Sequence, residues 1–281
     1  MSRAGVLLLS ILLTGSAVGA LVLLGGRAPS APAQGYAPPP SRGAVSPAAG
    51  PPASNPGPED TFSLEYLDRF FEELSRDRYL VVTVRQFVER FSDRPIPSDK
   101  VVVILRHDVD HDPWTMLKIA ELERRHNLTS SIYFRTRAEY NVLSENVSAI
   151  VRLLASWGFD VGLHYEDLYA AGYNATLAAD YFRLDLEIMR SLAPVKTVCA
   201  HGNRADMPLG NYEMWELANL TLEQFDLEAE CYLTALPIVR SYEHYYFADN
   251  MGKPQRWIDQ VRRAQPGMVV YVLIHPCYYR G

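Results

Sequence analysis

The sequence predicts an α/β fold built on a parallel sheet. Short apolar, β-rich runs alternate with segments of helical spacing. From Glu59 to Gly281 there are about 220 residues and six or seven such units, which suits a closed or nearly closed barrel. A doubly wound open sheet is the alternative. No Gly-rich loop follows the first strand, so a dinucleotide site is unsupported.

The elements follow in order. Phe62, Tyr66, Leu67, Phe70, Phe71 and Leu74 recur at helical spacing, and Val84–Phe91 reads as a second short helix. Val101–Leu105 is purely apolar, as expected of a strand buried on both faces. Pro113 stands at a helix start, and the helix runs from Trp114 to His126. Ser130–Phe134 is a strand. Ser144 caps a helix that runs to about Trp157, with Glu145 in its first turn. Phe159–Leu163 is a strand, and Ala175–Leu192 is a long amphipathic helix closed by Pro194. Val195–Ala200 is a strand, and Tyr212–Asn219 is a helix. Phe225–Tyr232 is irregular with strand character. Pro254–Ala264 is a helix closed by Pro266 and Gly267, and Met268–Ile274 is the last strand.

Residues 1–27 read as a separate segment. Gly5–Gly26 carries no charge and is flanked by Arg3 and Arg27. A helix of that length, at about 1.5 Å per residue, crosses a bilayer core of roughly 30 Å. A signal anchor is the first expectation and a cleaved signal peptide the second. Residues 28–58 are rich in Pro, Ala, Gly and Ser and have too little apolar surface to offset ordering, so they read as a disordered, semi-stiff linker. The globular domain is 59–281. Four sequons lie in it, at Asn127, Asn146, Asn174 and Asn219. With the anchor they tilt the expectation towards a domain outside the cytoplasm, membrane-anchored or secreted.

Composition excludes some classes. With 48% apolar and 21% charged residues the chain is not wholly disordered. A net charge of -6 argues against nucleic acid as a partner. Cys199, Cys231 and Cys277 are too few for a disulfide framework and include no CxxC pair. One bridge with one thiol over, or three free thiols, are both open.

In parallel α/β folds chemistry sits at the carboxyl ends of strands. Val101–Leu105 ends in Arg106-His107-Asp108-Val109-Asp110-His111-Asp112. Phe159–Leu163 ends in His164-Tyr165-Glu166, Val195–Ala200 in His201-Gly202-Asn203, and Met268–Ile274 in His275-Pro276. Five of the seven histidines lie at these ends. Asp108 and Asp110 are two apart, so continued strand geometry points both carboxylates to one side. Two close carboxylates call for a proton or a cation between them. Carboxylates with imidazoles suit a zinc-like divalent metal with a position open for water. A metal lowers the pKa of its water and a spare carboxylate can take the proton. The residues therefore predict metal-assisted hydrolysis.

These motifs resemble the polysaccharide deacetylase-like (NodB-type, carbohydrate esterase family 4-related) proteins. The resemblance spans about Phe62 to Pro276. It rests on Arg106-His-Asp-Val-Asp110, Pro113-Trp114, Tyr133-Phe-Arg135, Gly162-Leu-His-Tyr-Glu-Asp167, Ala200-His-Gly-Asn203, Phe247-Ala-Asp-Asn250 and Leu273-Ile-His-Pro276. It implies a distorted (β/α)7-type barrel that deacetylates N- or O-acetylated sugars with a divalent metal, zinc being expected. It implies Asp108 as general base, Asp110 and His164 as metal ligands, and His275 as the group that protonates the leaving amine or alcohol.

The chain departs from the family pattern at Leu168, where a second histidine is usual. His201 is the first candidate for the third ligand, and Glu166 is the second. Arg106, Glu166, Asn203 and Asp249 are candidates for binding or orienting substrate, and Arg204 is a weaker one. Trp114, Tyr165, Trp215 and Trp257 are candidates for stacking on sugar rings. The expected function is removal of acetyl groups from a surface carbohydrate. The alternatives are a catalytically impaired carbohydrate-binding barrel and a metal-dependent hydrolase of a non-sugar C–N bond.

Overall fold

The computed structural model describes residues 62–202, 207–251 and 254–281, without the side chain of Gln255. The expected anchor, the linker, Asn203 and Arg204 lie outside the described residues. Among those described, no helix is long and apolar enough to cross a membrane.

All eight strands pair in parallel. They are β1 (Tyr79–Val82), β2 (Val101–Val109), β3 (Ser131–Phe134), β4 (Asp160–Tyr165), β5 (Thr197–Ala200), β6 (Ala229–Glu230), β7 (His244–Ala248) and β8 (Val269–Ile274). The order is β6-β5-β4-β3-β2-β8-β7. Each strand from β2 to β6 thus lies beside its successor, and β8 returns to β2. That is the cyclic order of a seven-stranded barrel, interrupted between β6 and β7, where the described residues show no pairing. β1 is the eighth strand. It pairs with Val101–Ile104 of β2, and β3 pairs with Arg106–Val109.

The helices cover the outside and one end. They are α1 (Leu64–Leu74), α2 (Val84–Phe91), α3 (Pro113–Arg125), α4 (Glu145–Ser156), α5 (Asp167–Ala170), α6 (Ala175–Arg190), α7 (Met214–Leu217), α8 (Leu236–Arg240) and α9 (Trp257–Arg263). A π-helical turn at Cys231–Ala235 links β6 to α8. Two of the starts are set by local chemistry. Thr83 and Gln86 make a reciprocal capping box on α2, and Asp112 accepts from the amides of Trp114 and Thr115 with Pro113 in the first turn.

Alternation along β2 separates two apolar layers. Val101, Val103, Leu105 and Val109 face the outer core beneath α1, α3 and α4. Val102 and Ile104 face inward, where Val84, Phe87 and Phe91 of α2 pack against them and against Val269 and Tyr271. Fully burying a side chain such as Phe87 contributes roughly 1.5–3 kcal/mol. The amino-terminal end of the barrel is thereby filled, and only the opposite end is free for polar groups. Gly162 on β4 is required by close packing. A Cβ there would lie 2.4 Å from the Thr197 carbonyl oxygen and 2.5 Å from the Tyr133 ring.

The chain termini of the domain meet. Leu64 donates its amide to the Arg280 carbonyl, and Arg280 donates to Phe62, both at 2.8 Å.

Two strands were not expected. β1 is only four residues long. β7 is an aromatic run that lies between the expected irregular segment and the α9 region. β2 extends four residues beyond the expected Leu105, which carries the strand geometry into the polar motif.

Candidate active site

Because β2 continues to Val109, Arg106 and Asp108 take the inward face that Val102 and Ile104 occupy below them. Asp110 follows in a turn closed by its own amide donating to the Asp108 carbonyl at 3.1 Å. His107 takes the outward face. It is fully buried with Nε2 2.7 Å from Glu123 of α3, so it has no place in the site. His111 is exposed and pairs with Glu139 at 2.7 Å. Of the five histidines at strand ends, three converge: His164, His201 and His275.

Asp108 is 2% exposed. The Arg106 guanidinium donates to both its oxygens, Nε to Oδ1 at 2.8 Å and Nη2 to Oδ2. Arg106 is in turn held by Tyr232, whose hydroxyl accepts at 3.0 Å and whose ring lies 5.0 Å beneath the guanidinium. Burial alone would raise the Asp108 pKa, but the Arg106 charge and hydrogen bonds outweigh it and hold the carboxyl below its ordinary range.

His164 has a defined tautomer. Its Nδ1 is 2.9 Å from the Cys199 carbonyl oxygen, an acceptor only, so Nδ1 carries the proton and Nε2 carries the lone pair. That Nε2 lies 3.3 Å from Asp110 Oδ1 and 3.4 Å from Asp108 Oδ2. His201 Nε2 lies 3.5 Å from the same Asp110 oxygen. The two rings meet edge to face, with centroids 5.1 Å apart. Asp110 Oδ1 is buried with no hydrogen-bond partner. Burial would raise the Asp110 pKa, but His164, His201 and His275 together hold it well below the usual carboxylate range.

Asp110, His164 and His201 thus offer three ligand atoms within 4.8 Å of one another. A buried, unpartnered carboxylate oxygen facing an imidazole lone pair is an unfavourable arrangement that a cation would relieve. The donor set of one carboxylate and two imidazoles fits a zinc-type ion. Leu168 is fully buried in the outer core on α5 and takes no part.

Glu166 lies behind His201, its Oε2 3.3 Å from His201 Nδ1. Arg135 donates to both Glu166 oxygens, at 2.8 and 2.9 Å. Burial would raise the Glu166 pKa, but His201 and Arg135 lower it.

His275 is set by Asp249. Asp249 Oδ1 lies 2.6 Å from His275 Nδ1, and its Oδ2 accepts the His275 amide at 2.6 Å. Nε2 is left facing the site, 4.0 Å from Asp110 Oδ2. Burial pulls the ring's pKa down, but the Asp249 hydrogen bond and the charges of Asp108, Asp249 and Asp110 raise it overall. Asp249 therefore sits behind His275 and uses both oxygens on it.

Among the expected stacking aromatics, Trp114 is 53% exposed, while Tyr165, Trp215 and Trp257 are buried. Tyr165 accepts from the Trp215 indole at 2.9 Å in the outer core. All three cysteines are unbridged. Arg135 and Tyr232 had no assigned role from sequence. Arg135 directly follows β3, at the same point as the other site residues, and that position was a usable signal.

No protein-family model matches the chain. No curated relative matches it. Several solved structures superpose on it. A peptidoglycan N-acetylglucosamine deacetylase, solved with a hydroxamate-bearing compound, is 20% identical, covers 68% of this chain and 79% of its own, and gives a TM-score of 0.41. The chitin deacetylase of Colletotrichum lindemuthianum is 15% identical, covers 65% and 75%, and gives 0.39. A mutant CE4 family pseudoenzyme with restored enzymatic activity is 16% identical, covers 67% and 62%, and gives 0.38. Superpositions this loose bear on fold alone. The chemistry of the present site rests on its own geometry.

Proposed function

We propose that the domain is a metal-dependent hydrolase that removes acetyl groups from an N- or O-acetylated sugar. The observation that carries the reading is the convergence of Asp110 Oδ1, His164 Nε2 and His201 Nε2, with Asp108 beside them and His275 facing them. Asp110, His164 and His201 would hold the ion, zinc by the chemistry of the donors. A bound divalent ion would supply an activated water and polarise the acetyl carbonyl.

The protein's own groups supply the proton transfers. Asp108, kept ionised and oriented by Arg106, accepts the proton of the attacking water. His275, held by Asp249 and with its pKa raised, donates from Nε2 to the departing nitrogen or oxygen. Trp114 is the exposed aromatic available to a sugar face. The sugar class itself is supported by the motif resemblance.

One observation favours a second reading, a carbohydrate-binding barrel with impaired turnover. The Arg106 fork occupies both Asp108 oxygens and lowers the basicity on which catalysis depends. Incubating the full-length protein with chitin oligomers, peptidoglycan fragments and simple amides, with and without zinc, separates the readings. Acetate release from the sugars alone supports the deacetylase. Release from simple amides alone points to a non-sugar C–N hydrolase, and sugar binding without release points to the binding barrel.

The same proposal places the domain outside the cytoplasm, anchored through Gly5–Gly26 or secreted. The four sequon asparagines, Asn127, Asn146, Asn174 and Asn219, are all exposed and accessible to glycosylation there.

A further inference from the structure

The two imidazoles at the candidate metal centre are oriented by different means. His164 is fixed by a backbone carbonyl, that of Cys199, which no side-chain substitution removes. His201 lies beyond the end of β5. Its backbone is fixed by donation of its amide to the Tyr165 carbonyl at 2.7 Å and by the Asn211 side chain donating to its carbonyl at 3.2 Å. Neither contact touches the ring. A neutral imidazole carries one proton on two nitrogens, and the partner of one nitrogen decides whether the other offers a lone pair. For His201 that partner is the Glu166 carboxylate, 3.3 Å from Nδ1.

Glu166 could itself swing towards a cation, but Arg135 holds both its oxygens. A bidentate guanidinium fixes a carboxylate in plane as well as in place. The other arm of Arg135 donates to the Asp110 carbonyl at 3.2 Å, tying the same cation to the chain that carries the first ligand. Arg135 follows β3, Glu166 follows β4 and His201 follows β5, so three adjacent strand ends contribute one group each.

We propose that Glu166 and Arg135 are positioning residues for His201: Arg135 locks Glu166, and Glu166 accepts the Nδ1 proton of His201 and so turns its Nε2 lone pair towards Asp110 and His164. The pair makes a histidine from a neighbouring strand serve where Leu168 cannot. It rests on the metal reading above only for its effect on affinity. The ring orientation is a property of the metal-free protein.

The test has two arms, both on the full-length chain. Nitrogen-15 NMR of the imidazoles in metal-free protein at alkaline pH reads the tautomers directly. The wild type should show His201 protonated on Nδ1, and Glu166→Ala should abolish that preference while leaving His164 on Nδ1. Zinc titration is the second arm. Glu166→Ala should bind roughly 10–100-fold more weakly, the usual effect of losing such an outer partner. Glu166→Gln, whose amide oxygen can still accept, should stay close to the wild type. Wild-type His201 protonated on Nε2 overturns the proposal, even if Glu166→Ala fails to fold. So does a folded Glu166→Ala unchanged in both tautomer and zinc binding. A wild type that binds no zinc, yet holds His201 on Nδ1, defeats the metal reading and leaves the positioning role standing.

Discussion

His164 Nε2 faces two carboxylates at once, Asp110 Oδ1 at 3.3 Å and Asp108 Oδ2 at 3.4 Å. Its proton is committed to the Cys199 carbonyl on the other side of the ring. A lone pair between two anionic groups marks where positive charge is needed. The two aspartates differ in how far that need is already met: Asp108 has Arg106, and Asp110 Oδ1 has no hydrogen-bond partner.

Removing a ligand should therefore abolish metal binding more completely than removing an outer partner. Asp110→Ala and His164→Ala should each weaken zinc binding by more than the roughly 10–100-fold expected for outer-partner variants. Metal analysis after dialysis of the full-length protein checks this. Wild-type zinc content in either variant would exclude that residue as a ligand.

Asp108→Asn and His275→Ala should retain zinc and lose deacetylation by a factor on the order of 10²–10⁴, the typical contribution of a positioned acid or base. Metal loss in Asp108→Asn would reverse the roles assigned to the two aspartates. Steady-state rates with parallel metal analysis separate the cases.

Asp167 gives a pH-dependent stability. It is fully buried, and neither carboxyl oxygen has a hydrogen-bond partner. Burial, then the neighbouring Asp185, raises its pKa well above the ordinary value. A carboxyl whose pKa is higher in the folded state favours folding while it is protonated. That contribution is complete below the unfolded pKa and is lost as pH rises through the folded one. Asp167→Asn should thus match the wild type in acid and melt higher at pH 8, by about 2–4 °C for each kcal/mol recovered at this size. Calorimetric scans across pH decide it, and equal melting temperatures at pH 8 would refute it.

Gly162→Ala should destabilise the barrel by about 1–3 kcal/mol, as overpacking does. The added carbon meets the Thr197 backbone and the Tyr133 ring, and the backbone atom has little room to give. Urea unfolding of the variant provides the number.

The uncharged run Gly5–Gly26 carries a separate expectation. As a signal anchor it should keep the full-length protein in the membrane fraction through alkaline carbonate washing. A mature chain beginning near Leu21 or Ala31 would show cleavage instead.

Much of this site was legible because polar residues interrupt apolar strands at equivalent points. The ends of β2, β4, β5 and β8 were located by that pattern, and the residues named there are the ones the barrel brings together. His107 and His111 were grouped with them wrongly. Period-two alternation along β2 sends His107 outward once the strand is known to reach Val109. The apolar run alone ended at Leu105 and hid this. β1 and β7 were missed because a four-residue strand carries little periodicity, and because aromatic neighbours such as Tyr245 and Tyr246 do not alternate with polar residues. Arg135 was read as part of a motif without a task, since a buried ion pair with Glu166 has no local sequence signal.

The pairing of Phe62 and Leu64 with Arg280 decides where handles can be attached. Arg280 follows the end of β8 by a short helical turn, and the Tyr278 ring lies 5.6 Å from that of His275. Phe62 packs edge-on against Tyr278 and Tyr279. The described chain therefore starts and finishes on the rim that carries the catalytic groups. A bulky fusion placed directly before Phe62 or just beyond Arg280 would crowd the mouth and obstruct a long polymer. Immobilising the protein through the filled, α2-covered end would leave that approach open.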